Sequence, residues 1–175
     1  AFSLSKNTTD SFYGVYAKDE QLSARLAGAM KTFAQKPQFD VTYIFDHFDW
    51  EALGRGLVVD VGGSQGNVGI HLARRFKDLN VLIQDLEKVV ASAEVPVDLL
   101  GRVSFMSHDF LTEQPVHGAD VYFLRLVLYN WSDVYCIRIL QNLLPALKDG
   151  AKVIVQENLM PISGTGPLWR ERKSR

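Results

Sequence analysis

Leu57-Val58-Val59-Asp60-Val61-Gly62-Gly63-Ser64-Gln65-Gly66-Asn67 is the stretch on which the fold turns. Four of its first five residues are apolar, the pattern of a strand buried on both faces in a parallel sheet. A glycine cluster ends that strand, and Val68 to Phe76 follows with helix-compatible spacing. Strand, tight glycine turn and helix let backbone approach a nucleotide-like ligand at the C-terminal edge of a sheet. Dinucleotide folds place glycines first, third and sixth; from Gly62 those places hold Gly62, Ser64 and Asn67, so that match fails. A phosphate-cradling Gly-Lys-Ser/Thr ending is absent too. The stretch therefore matches neither the dinucleotide fingerprint nor the phosphate-cradling loop.

The rest of the chain supports a single α/β domain. At 175 residues with 47% apolar content, one main core is expected. A net charge of −1 carries no basic footprint for nucleic acid or for an anionic membrane surface. No apolar run reaches the ~18 residues of a membrane span, and the N-terminal residues lack a signal-peptide pattern. Cys136 is the one cysteine, which excludes an internal disulfide and fits a reducing compartment, with Cys136 itself as core filler. A soluble, cytoplasmic protein is the expectation.

Apolar spacing predicts an amphipathic helix over 19–33, stopped by Lys36-Pro37, and a second over 40–53. Strand and helix signals then alternate, with strands at 57–61, 80–84, 102–106, 119–124 and 151–156. Helices are expected at 67–77, 86–94 and 132–147, the last with Ser132 as N-cap. Such alternation predicts a Rossmann-like, doubly wound and mostly parallel sheet. Residues 1–55 read as a helical lead-in, 56–162 as the ligand-binding domain and 163–175 as a polar tail.

Residues at strand ends are the candidates for chemistry. Asp85 closes the second strand, where a carboxylate can accept both hydroxyls of a ribose, or cap the helix from Leu86, or do both. Asp109, in His108-Asp109-Phe110 after the third strand, can accept from an adenine amino group while Phe110 covers the ring. Arg125 ends the fourth strand amid apolar residues, so it faces a cleft or finds a partner. His47, His71 and His117 read as structural or solvated, and no set of His, Cys and carboxylates has metal-ligand spacing.

Asp60 with the glycines resembles the first motif of class I S-adenosylmethionine methyltransferases. Tyr122-Phe123-Leu124-Arg125-Leu126-Val127-Leu128-Tyr129-Asn130-Trp131-Ser132-Asp133 resembles the strand-four signature of the plant and fungal O-methyltransferase family, the caffeate-type group. Glu157-Asn158-Leu159-Met160-Pro161 is similar to that family's fifth-strand end, and Phe48-Asp49-Trp50-Glu51-Ala52-Leu53-Gly54 to its approach to the first motif. The resemblance spans nearly the whole chain and is closest to fungal secondary-metabolism members. It implies S-adenosylmethionine as cofactor, contacted by Gly62, Gly63, Asp85, Asp109, Phe110 and Arg125. It also implies a small aromatic or polyketide-type acceptor and a homodimer for the full-length protein. Phe2, Phe12, Tyr13 and Tyr16 lie where the family faces its acceptor, although core packing explains them equally well.

Three departures follow. Ser64 stands where many members have a third glycine, a cost of roughly 1 kcal/mol if φ must be positive there. The family's proton-accepting His is replaced by Tyr129. Compared with the family, the chain reads as truncated at both ends, without most of the dimerisation domain and without the last strands. A tyrosine hydroxyl, ordinarily with a pKa of about 10, keeps its proton at neutral pH and acts as donor or steric wall. Three functions therefore stay open: methyl transfer to a phenolic or polyketide-type hydroxyl; a cyclase or dehydratase reaction in which S-adenosylmethionine is not consumed; or an inactive cofactor-binding fragment.

Overall fold

The computed structural model describes residues 5–10, 12–16, 18–34 and 40–157. The chain divides into two compact units, Ala1–His47 and Phe48–Arg175. Among the described residues the first contains the helices α1 (Phe12–Tyr16), α2 (Glu20–Ala34) and α3 (Thr42–Asp46). Asp19 starts α2 by accepting the Leu22 N–H at 3.0 Å, satisfying one of the donors a helix start leaves unpaired.

The second unit is a five-stranded, all-parallel sheet. It contains β1 (Leu57–Val61), β2 (Asn80–Asp85), β3 (Val103–Ser107), β4 (Val121–Arg125) and β5 (Lys152–Gln156), in the order β3-β2-β1-β4-β5. Every expected strand is present, displaced by no more than two residues at either end. β1 lies at the centre, with Val58–Val61 buried and in register with both β2 and β4. Its alternation divides the core between the two faces. Val59 and Val61 pack with Tyr122, Leu124, Ile139 and Leu143 on one side. On the other, Asp60, Val81 and Ile83 meet Gly69 of α4 (Asn67–Arg75). Trp50, fully buried, closes the N-terminal edge beside Phe76 and Phe123, with ring centroids 6.2 and 6.3 Å away.

The helices differ from expectation in instructive ways. The 40–53 helix is replaced by α3 and a separate 3-10 turn, Glu51–Leu53, because Asp49 accepts the Ala52 N–H at 3.1 Å and starts a fresh turn. The 86–94 helix shrinks to α5 (Glu87–Val90): Val89 and Val90 are weak helix formers, and Pro96 disfavours a helical Val95. The 132–147 helix is α6 (Asp133–Leu143), continued by a 3-10 turn, Leu144–Ala146, in which Pro145 lacks the N–H a longer helix would use. Ser132 does occupy the N-cap position, but its side chain makes no capping hydrogen bond. Phe2, the Lys36-Pro37 stop and the tail from Asn158 onward lie outside the described residues, as do the side chains of Phe12 and Tyr13.

Among the described residues β5 pairs only with β4, and no described strand pairs with its outer edge. Val153 and Val155 on this strand are 38% and 43% exposed. Such an edge is a template for strand addition. The 175-residue chain is therefore expected to self-associate with concentration, and Val155→Lys to shift it towards monomer in sedimentation velocity. A clean monomer of the unmodified chain at high micromolar concentration would refute this.

Candidate active site

Parallel pairing brings the C-terminal ends of β1 to β4 to one edge of the sheet, and with them Gly62, Asp85, the His108-Asp109-Phe110 segment and Arg125. The turn after β1 is held from below. The N–H groups of Gly62 and Gly63 both donate to the Gln84 carbonyl, at 2.8 and 2.9 Å. Gly62 has φ +74°, and a Cβ there would stand 3.0 Å from Val127 Cγ2 and 3.5 Å from Phe110 Cε1. A Cβ on Gly63 would fall 2.6 Å from the Asp60 carboxyl group, closer than atoms can approach. Both positions therefore require glycine. Ser64 adopts φ +55°, so the positive φ that sequence comparison made a condition is present, and its cost is borne by a non-glycine residue.

Ser64 is stabilised in that conformation by Asp85, whose Oδ2 accepts the Ser64 N–H at 2.9 Å. Asp85 Oδ1 accepts the Leu86 N–H at 2.8 Å. The alternative of Asp85 as helix cap is not realised, since the N-cap of α5 is Leu86 and no side chain caps it. Asp85 instead ties the glycine turn to the end of β2. Burial raises its pKa, and the two N–H donors oppose that shift. Asp109 is exposed and shapes its own turn, accepting the Leu111 N–H at 2.9 Å. Phe110 lies edge-to-face with Trp131 at 5.7 Å, forming a wall beside Gly62. His108 is held below its usual pKa by burial, with Asp109 pulling the other way.

Two carboxylates organise this edge, one buried and one part-buried, and strand patterning alone gave them no assigned role. Asp60 is 2% exposed and its Oδ2 has no hydrogen-bond partner among the described residues. Burial raises its pKa to about 7, against the attraction of Arg125 and the Gly69 N–H. The second is Glu157. Leu126, at φ +55°, turns the chain at the end of β4, and the N–H groups of Val127 and Leu128 then reach Glu157 Oε1 at 2.9 and 2.7 Å. The Tyr129 N–H also acts on this carboxylate, so Glu157 anchors the 3-10 turn Leu128–Asn130 that displays Tyr129, 46% exposed. Burial raises the Glu157 pKa. Arg125 donates through Nε to Gln156 Oε1 at 2.9 Å and lies within electrostatic reach of both carboxylates. An acidic residue closing an apolar strand is the sequence signal that both share.

The site residues fit S-adenosylmethionine. The glycine turn lies flat on the sheet edge, Asp85 offers a part-buried carboxylate, and Phe110 offers a ring face. Among the described residues, no group of three His, Cys, Asp or Glu could hold a metal ion. No described helix is long and apolar enough to cross a membrane. A cavity of about 230 Å³ lined by Trp50, Gly54, Phe76 and Leu79 lies at the opposite, N-terminal edge of the strands, away from these groups.

The fold and site define a class I methyltransferase-like domain of Rossmann type. The chain belongs to the O-methyltransferase domain family, whose profile it matches over residues 4–174. The O-methyltransferase of the grayanic acid biosynthesis cluster of Cladonia grayi is 42% identical over 178 residues, covering 99% of this chain and 39% of that protein. NcsB1, an O-methyltransferase from neocarzinostatin biosynthesis solved with S-adenosyl-L-homocysteine and 1,4-dihydroxy-2-naphthoic acid, superimposes with a TM-score of 0.74. It is 30% identical, over 88% of this chain and 45% of that one. A structure described as a pericyclic reaction enzyme superimposes with a TM-score of 0.73 at 27% identity, over 99% of this chain and 45% of that one. The chain thus spans about two fifths of the length of the curated relatives it matches.

Asp60 is expected to make stability depend on pH. Its folded pKa of about 7 lies above the ordinary 3.8, so the folded state binds the extra proton between these values and loses stability as pH rises through them. The full penalty, on the order of 4 kcal/mol, is reached above about pH 7 and is absent below about pH 4. Asp60→Asn should flatten this dependence. The wild-type melting temperature should fall by roughly 10 °C more than that of the variant between pH 4.5 and 8. Parallel curves would show that Asp60 stays ionised.

Proposed function

We propose that the chain is the cofactor-binding part of an O-methyltransferase of fungal secondary metabolism, acting on a phenolic or polyketide-type hydroxyl. The observation that carries this reading is the glycine turn packed on Asp60, with Asp85, Asp109 and Arg125 at the neighbouring strand ends. Membership of the O-methyltransferase domain family and the names of the relatives support it. Bound S-adenosylmethionine supplies an electrophilic methyl group on a sulfonium. Asp85 accepts the ribose hydroxyls, Asp109 the adenine amino group, and Phe110 covers the adenine. Gly62 and Gly63 give the backbone close approach, and Arg125 balances the buried carboxylates. The full-length protein is read as a cytoplasmic homodimer, on the family resemblance.

Tyr129 shapes the acceptor side. With a tyrosine in place of the family's histidine, the reaction relies on proximity and on an acceptor that needs little help in losing its proton. The same residue favours the second reading, a cyclase or dehydratase reaction that does not consume the cofactor, and one structural relative is described as a pericyclic reaction enzyme. Products separate the readings. Methylated acceptor with S-adenosylhomocysteine supports methyl transfer, rearranged or dehydrated acceptor with intact S-adenosylmethionine supports the second, and binding without turnover supports an inactive domain.

Asp85→Ala should weaken S-adenosylhomocysteine binding by roughly 1.5–3 kcal/mol, the range for hydrogen bonds to a charged group. An unchanged dissociation constant in calorimetry removes Asp85 from the site.

In the full-length protein, Tyr129→His should raise the rate of phenol methylation by about 10²–10⁴, the contribution of a positioned general base. A flat response across a panel of phenols counts against methyl transfer.

A further inference from the structure

The connection from β3 to β4, residues 108–120, contains neither helix nor strand, yet it carries Asp109 and Phe110. An irregular segment of this length has no backbone ladder to fix its position. Its one fully buried polar side chain, Gln114, is 0% exposed and meets Gln84 of β2, which is 1% exposed. The two amides pair reciprocally: Gln84 Nε2 donates to Gln114 Oε1, and Gln114 Nε2 donates to Gln84 Oε1, both at 2.9 Å. Gln114 Oε1 also accepts the Val116 N–H at 3.1 Å, and the Gln114 N–H donates to the Asn142 carbonyl of α6 at 3.0 Å. The Asn142 side chain in turn donates to the Phe110 carbonyl at 3.1 Å.

Two primary amides in a core cost more than apolar residues of the same size unless every group is paired, and once paired they admit one geometry. The location gives that geometry a use. Gln84 directly precedes Asp85, and its carbonyl holds the N–H groups of Gly62 and Gly63. The pair therefore joins the part of β2 that sets the glycine turn and Asp85 to the segment that carries Asp109 and Phe110. We propose that Gln84, Gln114 and Asn142 are positioning residues of the nucleoside pocket, fixing the Asp109-Phe110 wall relative to the glycine turn and Asp85. The proposal rests on the reading of Asp85, Asp109 and Phe110 as nucleoside contacts.

The test is the double variant Gln84→Met with Gln114→Met, which removes both side-chain amides together at similar volume, so that neither amide is left facing an apolar partner and the one donor losing its acceptor is the part-buried Val116 N–H. S-adenosylhomocysteine and adenosine are titrated calorimetrically into the 175-residue chain, with melting temperatures measured alongside. The expected result is a melting temperature within a few degrees of wild type, with affinity for both ligands lowered by the same factor, about 3- to 30-fold. Unchanged affinity in the folded double variant overturns the proposal, whatever its melting temperature. A loss for S-adenosylhomocysteine without a loss for adenosine also overturns it, since the defect then lies outside the nucleoside. Asn142→Leu, at a part-buried position, should lower both affinities in the same way; no change removes Asn142 from the proposed set. If the unmodified chain binds neither ligand, the cofactor-site reading itself fails and the positioning role falls with it, an outcome distinct from a defect confined to the variants.

Discussion

The buried carboxylate of Asp60 beneath the glycine turn is the constraint from which the active edge is built. It lies at the end of the central strand, where it meets the backbone of Gly63 and the start of α4, with Arg125 of the neighbouring strand as counter-charge. A carboxylate placed there leaves no room for a Cβ on Gly63, so the turn lies close on the sheet. Closeness gives a turn of this kind its use, because backbone without side chains can approach a ligand lacking phosphates. The cost is a buried acid with one oxygen unpaired among the described residues, tolerated because Arg125 and the Gly69 N–H compensate in part.

A related arrangement recurs two strands away. Glu157, part-buried, directly follows β5 as Asp60 nearly ends β1, and each acid organises a turn that projects from the C-terminal edge. At β4 the left-handed Leu126 turns the chain so that successive N–H groups converge on Glu157, fixing the turn that displays Tyr129. Arg125 lies between the two acids and belongs electrostatically to both. The turns after β1 and β4 thus share the charge of Arg125.

Strain is distributed at the same edge. Ser64 and Leu126 are the non-glycine residues of the second unit with positive φ among those described, and they flank the candidate site in the β1 and β4 turns. Each is secured by hydrogen bonds from its own or adjacent N–H groups, Ser64 to Asp85 and Leu126 to the Gln156 carbonyl at 2.9 Å. Conformations that cost about 1 kcal/mol or more persist when the surroundings over-determine them.

The five strands, their parallel arrangement and the strand-end positions of Gly62, Asp85, Asp109 and Arg125 were legible in the sequence. Apolar runs interrupted by glycine report burial on both faces, and burial is a property of composition along a short segment. Helix ends were less legible, because Asp49 and Pro145 act through local hydrogen bonding that apolar spacing does not register. The partnerships were invisible. Nothing in the spacing of Gln84, Gln114 and Asn142, or of Leu128 and Glu157, indicates that they meet, because each pair lies roughly thirty residues apart in the chain. The sequence by itself determined which residues reach the active edge, since strand ends follow from local pattern. Tertiary structure alone decided what each carboxylate does there, since burial, pairing and pKa depend on what other segments bring alongside.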